Sequence, residues 1–251
     1  MKRLVQRALA RTPYTVYRNR PRDLANPLPV ESAAHRALLR AVLESRAIDC
    51  VLDVGAHSGG FGALLRELGY AGEIVSFEPG AEAFAALVSR AREDPRWQVQ
   101  RLALGRTEGT ARLNVARAAN FASFLVPTAF SVERFRESAI DHAEEVPVRR
   151  LDAVFAPAGR RVLLKTDTQG WDLEVIEGAR GCLDSVLALQ VELAVRPLYE
   201  GAVGWLDALA VLRELGFRPA QLTSVGRDGE LGLLELDCLL VRDGAREGEA
   251  I

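Results

Sequence analysis

Three cysteines stand in 251 residues. Cys50, Cys182 and Cys238 each sit in an apolar stretch and none forms a C-x-x-C pair. An odd count without a framework excludes a disulfide scaffold and points to a reducing compartment, with each thiol acting as a small core hydrophobe. Only three histidines occur, scattered along the chain, so a zinc site is not expected. Excess charge of one sign is missing too: 32 basic residues face 34 acidic ones. That balance excludes a general nucleic-acid binder, and no nucleic-acid partner is expected. No apolar run reaches the length of a membrane-spanning helix. The start, from Met1-Lys2-Arg3 through Arg11, lacks the apolar core of a secretory signal, so the expected location is the cytoplasm.

What is present suits a buried core: 49% of the residues are apolar and 26% are charged. The length fits one large α/β domain or two small ones. Residues 1–30 form a basic N-terminal arm with Lys2, Arg3, Arg7, Arg11, Arg18, Arg20 and Arg22, one acid, and prolines at 13, 21, 27 and 29. From 31 to 251 the pattern is that of a single folded unit. Helical spacing runs from Glu31 to Ala47. Cys50–Val54 reads as a strand, followed by a glycine turn and a helix over Ala63–Leu68. Ile74–Glu78 is a strand, Ala81–Arg92 a helix, and Trp97–Leu102 a strand. This β-α-β-α-β order predicts a parallel sheet wrapped by helices.

The middle is less regular. Ala111–Val115 alternates as a strand does, and about 117–146 reads as an irregular insert or lid. Val162–Thr166 is a strand, Leu173–Cys182 a helix, Leu187–Val195 a strand, and Trp205–Leu215 a helix. The end reads as a hairpin: Gln221–Val225, a turn at Arg227-Asp228-Gly229, then Leu231–Val241.

The strongest local signal is Val51-Leu52-Asp53-Val54-Gly55-Ala56-His57-Ser58-Gly59-Gly60. Glycine admits positive φ and close backbone approach, and the helix start that follows offers unpaired N–H groups. The acid Glu78 ends the next strand, 25 positions after Asp53. A carboxylate there suits the two hydroxyls of a ribose. The dinucleotide fingerprint G-x-G-x-x-G is not met, because Ala56-His57 follows Gly55. The variant G-x-x-x-G-x-G fails at Phe61, and none of Tyr14, Tyr17, Tyr70 or Tyr199 has a lysine four residues on.

Asp53-Val54-Gly55-Ala56-His57-Ser58-Gly59 with Phe77-Glu78-Pro79 resembles the FkbM family of S-adenosylmethionine-dependent methyltransferases. The resemblance continues at Ala103-Leu104-Gly105, Arg150-Leu151-Asp152, the run from Leu164 to Ala179, Val191-Glu192-Leu193 and Leu215-Gly216-Phe217. It spans about 48–242.

The resemblance implies a Rossmann-like class I sheet, α/β, with seven mostly parallel strands, an antiparallel C-terminal hairpin and helices on both faces. It implies S-adenosyl-L-methionine as cofactor. Asp53, Gly55, His57, Ser58 and Gly59 would take its methionine end, Glu78 with Pro79 the ribose, and Ala103 and Leu104 the adenine. The family often has asparagine at the position of His57, and many members have Val-Glu where Thr168-Gln169 stands. One subgroup carries the glutamine, which reads as a marker of acceptor class.

Methyl transfer to a hydroxyl oxygen needs alignment and a proton acceptor. Asp167, just past an apolar strand, is the first candidate. Lys165 and Glu192 lie on or beside neighbouring strand ends, and His142 is a candidate base borne on the insert. A divalent metal is possible, with Asp167 and Glu192 as contributors, but is not expected, because no tight acidic cluster appears. The expected acceptor is a small molecule or saccharide, and self-association is left open. Two other readings also stay open: a cofactor-binding module without catalysis, and an NAD-dependent oxidoreductase on a related fold.

Overall fold

The computed structural model describes residues 29–244. The basic arm over 1–30 thus lies almost wholly outside the described residues. The first helix among the described residues, α1, spans Pro29–Ser45. Strand β1 (Cys50–Val54) follows, every residue of it buried. It pairs in parallel with β2 (Glu73–Phe77) on one side. On the other side it pairs in parallel with β7 (Val162–Thr166). The sheet is completed by β3 (Trp97–Gln100), β8 (Val186–Ala194), β9 (Phe217–Ser224) and β10 (Glu235–Arg242). Its order is β3-β2-β1-β7-β8-β10-β9, and β10 runs antiparallel to both neighbours. The seven strands and the closing hairpin are those expected. The chain leaves β1 toward β2 and β3, then returns to β1's other side at β7. The crevice beyond the carboxyl ends of β1 and β7 is where such sheets bind ligands.

Side chains alternate across the strands. Cys50, Leu52, Val54 and Leu164 enter one core layer, with Val175, Ile176, Ala208 and Leu212 from helices α6 (Asp172–Glu177) and α7 (Trp205–Glu214). Val51 and Leu163 enter the other, against Leu39 of α1, Leu65 of α2 (Gly60–Glu67) and Leu87 of α3 (Ala81–Ala91). Asp53 and Lys165 share the parity of Val51 and Leu163. That parity sends both under the helical layer of α1 to α3 and not into the crevice.

The middle of the chain is more ordered than its sequence suggests. β4 (Ala103–Leu104), β5 (Gly109–Ala116) and β6 (Ile140–Arg149) form a second sheet, order β4-β6-β5. The stretch 117–146 therefore contains the first part of a ten-residue strand, together with a short helix, Ala129–Arg134. Its alternation is masked because only Val146 and Val148 of β6 are buried, while Ile140, Asp141, His142 and Glu145 are exposed. The helix expected to reach Cys182 ends at Glu177, and Arg180–Ser185 continues as a 3-10 turn. Strand β9 starts earlier than read and includes Pro219, with a shift of register at Ala220 against β10, and the connection to β10 is longer. Asp228 organises that connection, its Oδ1 accepting from the N–H groups of Glu230 and Gly232 at 3.0 and 2.8 Å. All three cysteines are free and buried. Among the described residues, no helix is long and apolar enough to cross a membrane.

Candidate active site

The turn after β1 is fixed from three sides. The N–H groups of Gly55 and Ala56 donate to the Phe77 carbonyl at 3.0 and 3.1 Å, and that of Asp167 donates to the Val54 carbonyl at 3.1 Å. Gly55 has φ +70°, and a Cβ there would lie 2.0 Å from the Asp167 carbonyl oxygen. Only glycine fits so close a backbone crossing. Glu78 closes the third side. Its Oε2 accepts from the His57 N–H and its Oε1 from the Gly80 N–H, both at 2.8 Å. Burial pushes the Glu78 carboxyl above its ordinary value, and the two N–H donors oppose that shift.

Beneath the turn lies a buried ion pair. Lys165 Nζ stands 3.1 Å from Asp53 Oδ1 and 3.7 Å from Asp167 Oδ2. It donates to the Gly55 and Val54 carbonyls at 2.8 and 3.3 Å. Burial works against the ammonium, yet the carboxylates of Asp53 and Asp167 outweigh it and hold Lys165 in the charged form. Ser76 donates its hydroxyl to the other Asp53 oxygen at 3.1 Å and receives the Trp97 indole N–H at 2.9 Å. This chain of contacts ties β1, β2, β3 and β7 together under the crevice.

The carboxyl ends of β7 and β8 carry a group of acids. Asp167 is half-exposed, whereas Glu192 is partly buried. Gln169 Nε2 donates to both, at 3.1 Å to Asp167 Oδ1 and 2.9 Å to Glu192 Oε2. Burial first, then the nearby charges of Asp167, Glu235 and Asp237, push the Glu192 carboxyl well above the usual range. Burial also lifts Glu235 to about 8 and Asp237 to about 7, in each case aided by Asp167.

Glu78, Asp167, Gln169 and Glu192 border a cavity of about 290 Å³. Gly55, His57, Glu78, Pro79, Ala103, Leu104, Asp167 and Glu192 all line it, so the structure gathers eight of the sequence-derived site residues around one space. The apolar part of its wall includes Phe77, Leu102, Leu104 and Phe124, with Trp171 tilted against Phe124 at 5.3 Å between ring centroids. Asp53, Lys165 and Gly59 are not in that wall. Asp53 is 0% exposed and Lys165 5%, both held beneath the turn. Gly59 starts helix α2 at φ +80°, and a Cβ there would lie 2.9 Å from Leu87. Its place is therefore one of tight helix packing. Ser58 lines an adjoining cavity, which Lys165, Asp167 and Asp237 share.

His142 corrects the expectation of a base carried on the insert. It sits on the exposed part of β6, where its ring pairs with Asp141 at 3.0 Å and Glu144 at 3.7 Å, away from both cavities. The bridging role of Gln169 and the acids of β10 were not anticipated. The alternation Leu234-Glu235-Leu236-Asp237-Cys238 held the signal, since two acids on one face of an otherwise apolar strand need a polar surrounding. Among the described residues, no group of three or more His, Cys, Asp or Glu side chains is arranged to hold a metal ion.

A seven-stranded sheet with this order, a clamped glycine turn after β1 and an acid just beyond β2 make up a Rossmann-like α/β fold. The family described as "Methyltransferase FkbM domain" matches residues 53–219. The chain belongs to that family of S-adenosylmethionine-dependent methyltransferases. No curated protein matches the sequence. Among solved structures it is similar to magnesium protoporphyrin IX methyltransferase (ChlM) from Synechocystis PCC 6803, with 12% identity, 96% of this chain and 97% of that one covered, and a TM-score of 0.47. It is similar as well to the methyltransferase domain of bacterial CtHen1, with 13% identity over 84% of this chain and 99% of that one, TM-score 0.44. A third likeness is the O-methyltransferase NcsB1 from neocarzinostatin biosynthesis, with 15% identity, TM-score 0.41, 86% of this chain and 58% of that one covered.

Proposed function

We propose that this chain transfers the methyl group of S-adenosylmethionine to a hydroxyl oxygen of a small molecule or saccharide. The observation that carries the reading is one cavity whose wall holds both Glu78 and the half-exposed Asp167. The donor set fits the cofactor. Glu78 spends one lone pair of each oxygen on the turn, which leaves capacity for two ribose hydroxyls. Gly55 keeps the turn free of a side chain. Phe77, Leu102, Leu104 and Ala103 offer an apolar slot for a flat base, with Pro79 at its edge. His57 faces the same cavity, while Asp53, Lys165 and Gly59 keep the turn in shape from below.

When bound, S-adenosylmethionine would supply an electrophilic methyl on a sulfonium, with a neutral thioether as the leaving group. Asp167 accepts the hydroxyl proton or orients that hydroxyl, and Glu192 lies beside it as a second polar contact. Residues 31–251 act as one domain in this reading, with about 117–146 forming part of the cavity's roof.

Asp167→Asn tests the assignment. General-base catalysis contributes about 100- to 10,000-fold. Turnover should fall by about that factor, measured as labelled methyl transferred, while affinity for S-adenosylhomocysteine stays unchanged. Lost affinity with a normal rate at saturating cofactor would move Asp167 to the cofactor site.

A further inference from the structure

Asp167 and Glu192 are joined by a single nitrogen. Gln169 Nε2 has two N–H bonds and gives one to each carboxyl group. The amide oxygen accepts the Tyr199 hydroxyl at 2.9 Å, and the Gln169 backbone carbonyl accepts the Ser123 hydroxyl at 2.8 Å. A reversed amide would aim its oxygen at two carboxyl groups, so the network itself selects this orientation. The backbone is bent to achieve it: Gln169 has φ +54° and Gly170 φ +90°. A non-glycine residue in that region is held there by its surroundings. Here those surroundings come from three places: Ser123 on the insert, Tyr199 after β8, and the two acids.

The charges around the bridge make a neutral donor necessary. Asp167 and Asp172 face Glu192 from the β7 end, and Glu235 and Asp237 face it from β10. Lys165 is the cation nearest Asp167, and it is already shared with Asp53. An acid at position 169 would add one more negative charge and remove both donors.

We propose that Gln169 is the positioning residue of the acceptor subsite, holding Asp167 and Glu192 at a fixed separation so that a hydroxylated acceptor meets them as a pair. The inference rests on the O-methyl reading for its chemistry, but the clamp can be tested apart from it.

Gln169→Glu and Gln169→Leu serve as the variants. Wild type and variants are incubated with S-adenosylmethionine labelled in the methyl group and a boiled extract of small molecules and saccharides. Both variants should lose up to about 100-fold in turnover, the scale of a misplaced reacting pair. Affinity for S-adenosylhomocysteine should be unchanged. Only a protonated glutamic acid can donate, so relative to wild type Gln169→Glu should regain rate as pH falls, whereas Gln169→Leu should not. Equal losses for the two at every pH, or no loss, would overturn the clamp.

A second readout needs no acceptor. In carbon-13 NMR of the cofactor-free protein, Gln169→Leu should move the Glu192 titration further upward, because a donor to its charged form is gone. An unmoved titration would also overturn the clamp. Absence of transfer by the wild type would instead sink the O-methyl reading, and the NMR titration would still decide the clamp.

Discussion

At the scale of single residues, the turn between β1 and α2 concentrates the most demanding positions. Gly55 meets two constraints at once, a positive φ and a carbonyl where a side chain would be. Gly55→Ala should cost roughly 2–5 kcal/mol, the sum of left-handed strain and overpacking. Urea denaturation checks this, and an unchanged midpoint would mean the crossing with Asp167 is looser than described. Glu78 and Gly55 stand where their types and spacing placed them, at the turn and in the cavity wall. Asp53 was misplaced for a reason that strand parity supplies. It stands at the strand's carboxyl end, but its side chain follows Val51 and Leu163 into the helical layer. His142 misled in the opposite way: an ionisable side chain in an unpatterned stretch suggested function, yet it faces outward on a strand.

At the scale of elements, β10 carries a cost that depends on pH. Burial holds Asp237 at about 7 against an ordinary 3.8, and Glu235 at about 8 against 4.5. The native state thus keeps these protons where the unfolded chain has released them. The penalty for ionising them is absent only below their ordinary values of 3.8 and 4.5, grows as pH rises, and is complete above about pH 8. The cofactor-free protein should therefore lose stability between pH 5 and pH 8. His35 on α1, whose burial lowers its value, works in the opposite direction below its ordinary 6.5. Thermal melting of the double variant Glu235→Gln, Asp237→Asn should show a shallower decline over that range. A wild-type melting temperature that rises steadily from pH 5 to pH 8 would contradict the assignment. The elements themselves were readable wherever both faces of a strand are buried, as in Val162–Thr166, whose bounds coincide with the expectation. They were unreadable in β6, where solvent on the exposed positions removes the pressure for alternation.

At the scale of the whole molecule, the sheet order brings residues from 54 to 192 around one cavity. The sequence named most of its wall, because strand ends and glycine turns carry local signals. It did not reveal the bridge through Gln169, since Ser123, Tyr199 and Glu192 come together only through the fold. The central claim is that the cavity holds S-adenosylmethionine with Glu78 on its ribose. Isothermal titration calorimetry of the folded protein tests it most directly, with S-adenosylmethionine, S-adenosylhomocysteine and NAD as titrants. Wild type should bind the first two at one site and not the third. Glu78→Ala should weaken both by roughly 1.5–3 kcal/mol, the worth of hydrogen bonds to a charged group, without unfolding. No heat from either methionine-derived ligand in a folded sample, or tight binding of NAD in their place, would contradict the account.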